Sequence, residues 1–117
     1  MMNIHIKRAY EAPSPSDGQR FLVDRLWPRG VKRENLLLAG WLKEIAPSNK
    51  LREQFHHDQE HWSEFRQQYW RELDDKQDQL KPLIEAASSG PVTLVYAARD
   101  TERNNAVALR DYLNRKN

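Results

Sequence analysis

The sequence predicts an α/β domain: a small, mainly parallel sheet of about three strands or more, with helices packed on it. Three observations point there. Short strand-like segments occur at Asn3 to Arg8, about Arg20 to Arg25, and Val92 to Ala98. The long stretch between the second and third reads as helix, which suits the crossover that parallel strands require. The third segment is a nearly unbroken apolar and β-branched run, the mark of a strand covered on both faces.

The elements follow in order. Ile4 and Ile6 alternate with polar neighbours, as on a strand with one covered face. Glu11 to Gly18 is rich in Pro, Ser and Asp-Gly, so the segment 11–19 is expected to be a mobile loop. Phe21, Leu22 and Val23 form a buried strand leading into Asp24-Arg25-Leu26-Trp27-Pro28-Arg29-Gly30. Leu36, Leu37, Ala39, Trp41, Leu42 and Ile45 predict a helix from about Arg33 to Ile45, weakened by Gly40 and stopped by Pro47. Ser48 is a suitable N-cap for a short helix with Leu51 and Phe55 on one face, finished by His56-His57. Asp58 is expected to cap a long third helix. The stripe from Trp62 through Phe65, Tyr69, Leu73, Leu80 and Leu83 to Ile84 supports that helix, interrupted at Lys76 and Asp78, with a kink or restart expected at Pro82. Ser88-Ser89-Gly90-Pro91 stops it. A last helix, capped by Asp100 or Thr101, buries Ala106, Leu109, Tyr112 and Leu113.

A chain of 117 residues allows one domain, taken as residues 1–117. Charged residues make up 31% and mean hydropathy is −0.94, polar for a globular domain. Four Trp, four Tyr and three Phe nevertheless argue against disorder. The formal charge of +2 is too mild to imply nucleic acid by itself. With no cysteine, disulfides, thiolate catalysis and Cys-ligated metals are excluded. No apolar run approaches the roughly 18 residues of a membrane span, and Met1 to Tyr10 lacks a signal-peptide core. No membrane partner is expected, and a cytoplasmic location is.

In open parallel sheets, ligands sit beyond the carboxyl ends of the strands. Those ends carry Lys7 and Arg8, then Asp24 and Arg25, then Arg99 and Asp100, so charge gathers along one edge. Guanidinium groups there, with Lys7, Arg29 and Lys32, have the fork geometry and charge to hold a phosphate or carboxylate. The alternative pairs Arg25 or Arg29 with Asp24 or Asp100 in structural salt bridges. Asp24 and Asp100 are candidate acids or bases, or ligands of a divalent metal, or else they neutralise the arginines or cap a helix. His56 is a candidate acid/base. His57 and His61 have a chelating spacing, but a helix beginning at Asp58 would break their register, so no metal is assigned. Trp27 lies in the charged turn as a candidate ligand contact, whereas most other aromatics follow the helical stripes. Neither G-x-G-x-x-G nor a P-loop is present.

Several runs together resemble a known family. They are Lys7-Arg8-x-Tyr10, Asp17-Gly18-x-Arg20, Val23-Asp-Arg-Leu-Trp-Pro-Arg-Gly30, Trp41-x-Lys43-Glu44, Ala46-Pro-Ser48, Leu51-Arg52 and Phe55-His56. Thr93-Leu-x-Tyr96-x-Ala98 and Asn104-x-Ala106 complete the set. These are similar to the YeaO-like small bacterial proteins, a domain-of-unknown-function family, over about Asn3 to Leu113. The resemblance supports the fold and implies no reaction. Position 105 is Asn here, where some relatives carry His, so no imidazole role is implied at that position.

The favoured reading is a binder of an anionic small molecule, with an enzyme as one form of it. Lys7, Arg8, Arg25, Trp27, Arg29, Lys32, Tyr96 and Asn104 would contact the ligand, and Asp24, His56 and Asp100 would handle protons. No cofactor is implied. The alternatives are a nucleic-acid-binding module, which no recognised motif supports, and a homodimer whose charged edge is structural.

Overall fold

The computed structural model describes residues 2–55 and 59–115. His56, His57 and Asp58 lie outside the described residues. Four strands form one sheet: β1 (Ile4–Arg8), β2 (Gln19–Leu22), β3 (Gly40–Trp41) and β4 (Val92–Tyr96). Their order is β1-β4-β2-β3 and every pairing is parallel. β4 therefore lies between the two amino-terminal strands, Val92 opposite both Ile4 and Gln19. All five β4 residues are buried, which explains the unbroken apolar run.

Strand alternation divides the side chains between two unlike faces. Ile4, Phe21, Val23, Val92, Leu94 and Tyr96 join the main core. The helices α2 (Asn49–Gln54), α3 (Trp62–Asp74), α4 (Gln77–Ser89) and α5 (Asn105–Arg115) contribute to the same core. Leu22 and Val95 point the other way, onto a thinner layer with Ala9 and Leu36. That layer is made of loops and the single-turn helix α1 (Arg33–Leu36), with Trp27, Val31, Leu38 and Trp41 packed against it. Among the described residues, no helix is long and apolar enough to cross a membrane.

The loop face also holds a buried ionic cluster. Ser14 caps a 3-10 turn, Pro15–Asp17, in a reciprocal capping box. The buried Asp17 carboxylate accepts from Lys7 Nζ at 3.1 Å and Arg20 Nη1 at 2.7 Å. Arg20 Nε donates to the Leu36 carbonyl at 2.8 Å, and Thr93 Oγ1 donates to the Asp17 carbonyl at 2.8 Å. Gly18 follows with φ 65°, tight against the Pro91 backbone. One short turn thereby ties β1, β2, β4 and α1 together.

Three expectations are corrected. The helix expected over 33–45 stops after one turn, where Leu37 takes the left-handed conformation (φ 51°). The chain then runs beside β2: the Ala39 N–H donates to the Arg20 carbonyl and the Leu42 N–H to the Leu22 carbonyl. A 3-10 turn, Lys43–Ile45, follows. Pairing with β2 overrides the helical spacing of the apolar residues. Second, the long helix breaks at Asp75 and Lys76, not at Pro82, and their N–H groups bond back to the carbonyls of Glu72 and Leu73. Pro82 stays inside α4 on its exposed side, where water can solvate a carbonyl that lacks a helical donor. Third, β2 ends at Leu22, and Asp24 to Leu26 form a bend.

Candidate functional site

β2 and β4 are neighbours, but their connections diverge beyond their carboxyl ends. The chain leaves β2 toward β3 at the sheet edge, whereas it leaves β4 for α5, which packs on β1 and β4. Divergence of this kind leaves a crevice at the strand ends. Here it is a cleft of about 950 Å³. One lip is Asp24 to Trp27, after β2, and the opposite lip is Ala97 to Asp100 with Arg103, Asn104 and Asn105. Pro47 and Arg52 with Phe55, Trp62 and Phe65 close the third side.

Asp24 joins the two lips. One carboxylate oxygen accepts from the Ala97 N–H at 2.9 Å and the other from Asn105 Nδ2 at 3.0 Å. The same Asn105 amide donates to the Val23 carbonyl at 3.0 Å, and Trp41 Nε1 donates to the Asp24 carbonyl at 2.7 Å. Burial pushes the Asp24 carboxyl above its usual range, against the pull of the Asn105 amide, the Ala97 N–H and the Arg52 charge. A carboxyl whose folded pKa is raised contributes stability at low pH that is lost as pH rises through the folded value. The melting-temperature advantage of wild type over Asp24→Asn is therefore expected to shrink as pH rises from below about 3.8, the unperturbed value, toward neutrality. Thermal melts across that range check it, and a constant or growing gap would overturn the assignment.

Around Asp24, Arg25 and Arg52 are held by neutral partners. Arg25 reaches back to the carbonyls of Ala46 and Pro47, at 3.3 and 3.4 Å. Arg52 contacts Asn49 Oδ1 at 3.4 Å. Among the described residues, nothing takes up the Arg99 guanidinium. Asp100 accepts from the N–H groups of Arg103 and Glu102, which hold its carboxyl below the usual range. Asn104, not Asp100 or Thr101, caps α5: its Oδ1 accepts from the Val107 N–H at 2.9 Å. Asp100 caps the turn before it.

A family model described as the inactive DUF488-N3 subclade matches residues 3–117. The chain belongs to this subclade. It is 46% identical to the uncharacterised protein YeaO of Escherichia coli K12 over 112 residues, covering 96% of this chain and 97% of that one. Uncharacterised proteins of Mycobacterium tuberculosis and Mycobacterium bovis are 40% identical over 111 residues, 95% of this chain and 93% of theirs. No solved structure matches. The YeaO-like membership expected from the sequence motifs is thus shown.

In this DUF488-N3 chain the cleft brings together Asp24, Arg25, Trp27, Arg99, Asp100 and Asn104 from the residues singled out in the sequence. Trp27 is fixed there by its Nε1 bond to the Val31 carbonyl and by Trp41, edge-on at 5.5 Å. The other candidates lie elsewhere. Lys7 points to the opposite face of the sheet and pairs with Asp17. Arg8 braces the far lip from behind, through the carbonyls of Ala97 and Ala98, and stacks over Tyr10. Arg29 and Lys32 are exposed and outside the cleft lining, and the Arg29 carbonyl accepts from Tyr10. Tyr96 is buried, and burial pushes its hydroxyl pKa up against the opposing pull of Arg8 and Asn104. His56 is outside the described residues.

Sequence reasoning missed Arg52, Phe55, Trp62, Phe65, Arg103 and Asn105 as cleft residues. Arg52 and Phe55 did stand in runs shared with the family. Trp62 and Phe65 were legible only as a helical stripe, which does not say whether a stripe meets core or cleft.

Proposed function

We propose that the cleft binds an anion-bearing small molecule of the cytoplasm and holds it without chemical change. The observation that carries this is the lining itself: four arginines, Arg25, Arg52, Arg99 and Arg103, beside two aspartates. The arginines outnumber the aspartates, and among the described residues the exposed Arg99 guanidinium has no partner, so positive charge is left for a ligand. Two things support binding over catalysis. Asn105, the side chain on Asp24, is an amide and cannot accept a proton at neutral pH. The matching family model is also described as an inactive subclade.

Titration calorimetry with inorganic phosphate, citrate and ribose 5-phosphate tests the proposal. Arg99 is exposed, so Arg99→Ala is expected to leave the melting temperature of the free protein unchanged. Its anion affinity should fall about tenfold, the usual consequence of losing one charge-assisted hydrogen bond. Absence of binding by wild type, or equal affinity in the variant, would overturn the reading.

A further inference from the structure

One wall of the cleft has a chemistry that an anion alone does not use. Phe55, Trp62 and Phe65 all line it, and all three are only half-buried. Trp62 and Phe65 are stacked, with ring centroids 5.6 Å apart and planes 21° apart. Phe55 meets Phe65 edge-on at 6.1 Å. Behind them stands Tyr69, fully buried, 6.0 Å from Phe65 and anchored through its hydroxyl to the Ile45 carbonyl at 2.7 Å. The wall is therefore backed by the core, a rigid aromatic surface facing an open cleft. Rings serving only as core would complete their burial against one another or against a neighbouring element. These leave faces toward the same space as Arg52 and Arg99.

Resting on the anion-binding reading, we infer that the ligand is a single nucleotide, its base stacked on the Phe55–Trp62–Phe65 wall and its phosphate held by Arg52 and Arg99. Aromatic side chains stack any base, because every base has a π-face, and guanidinium forks match phosphate oxygens. The cleft volume of about 950 Å³ lies at the upper end of small-molecule sites. Asp24 and Asp100 in the same lining oppose a longer polyanion, whose successive phosphates would be brought near both. A free nucleotide, not a nucleic-acid strand, is the chemistry that fits all three sides.

Calorimetry with AMP, ribose 5-phosphate, adenosine and a ten-residue oligodeoxyadenylate separates the parts. AMP is expected to bind wild type about tenfold more tightly than ribose 5-phosphate, the scale of one base stacked on aromatic side chains. Trp62→Leu should erase that advantage and leave ribose 5-phosphate affinity unchanged. Phe55→Leu provides the same comparison should Trp62→Leu fail to fold. Equal affinity of wild type for AMP and ribose 5-phosphate would overturn the inference and leave anion binding standing. Binding of neither would sink both. An oligonucleotide preferred over AMP more than tenfold, with affinity falling steeply in salt, would overturn the assignment in favour of nucleic acid.

Discussion

Gly18→Ala is expected to melt at least about 15 °C below wild type, the shift that a loss of roughly 4 kcal/mol produces in a domain of this size. An added Cβ would overlap the Pro91 carbonyl oxygen and lie 2.6 Å from its carbon, and both are backbone atoms that cannot turn away. The φ of 65° adds a conformational penalty for any side chain. Relief requires moving Gly18 away from Pro91, yet the neighbouring Gln19 N–H donates to that same carbonyl at 3.2 Å, at the start of the β2–β4 ladder. Gly30→Ala is the matched control. Gly30 has φ 79° and open space where its Cβ would go, so its cost should be about 1 kcal/mol, the conformational part alone. Calorimetric melts of both variants decide the matter. Similar melting points for the two would show that the Pro91 contact yields easily.

Asp17→Ala is expected to cost about 3–5 kcal/mol, because it removes the one carboxylate that, among the described residues, pairs with the buried Arg20. Arg20 is 4% exposed and its Nη2 already lacks a hydrogen-bond partner among the described residues. Lys7, with a side chain 20% exposed, can turn toward water when Asp17 is lost, whereas Arg20 cannot. Adding Arg20→Met to Asp17→Ala should therefore recover part of the loss, since an apolar pair is better tolerated than half of a buried ion pair. Burial alone would raise the Asp17 carboxyl, but the Ser14 N–H, Lys7 and Arg20 together hold it below its usual range. A depressed carboxyl contributes stability that is present above its unfolded pKa, near 3.8, and lost as pH falls through the folded value. The gap between wild type and Asp17→Ala should thus be full at neutrality and close in acid. Denaturant melts at several pH values measure it, and a gap that persists at the acid end would refute the electrostatic account.

The fold was legible where local chemistry decides. The β4 run, the Ser48 cap and the Ser-Ser-Gly-Pro stop each carry their own physical signal. It was illegible where a distant partner decides. Gly40 and Trp41 became a strand because β2 lay alongside them, and that pairing is not written in their own spacing. The same division runs through the site. Asp24, Arg25, Asp100 and Asn104 follow strands whose parallel arrangement brings their carboxyl ends together, so topology alone located them. Lys7 also lies near a strand end, but alternation turned it to the other face, where Asp17 was waiting. The loop 11–19 shows how far composition reaches: Pro, Ser and Gly announce a turn, and nothing in them announces that Asp17 is buried.

Strand order has a consequence for how the chain acquires its fold. β1 pairs with β4 and β2 pairs with β4, but β1 and β2 are not paired with each other, so the two early strands share a sheet only through the last one. A chain emerging from the ribosome would have the two-residue β2–β3 pairing available, and no wider sheet, until Val92–Tyr96 is made. Contacts this far apart in sequence close slowly, because loop entropy is lost before they can repay it. Sheet formation accordingly waits on the last strand, and the apolar β4 segment is the piece whose insertion completes it.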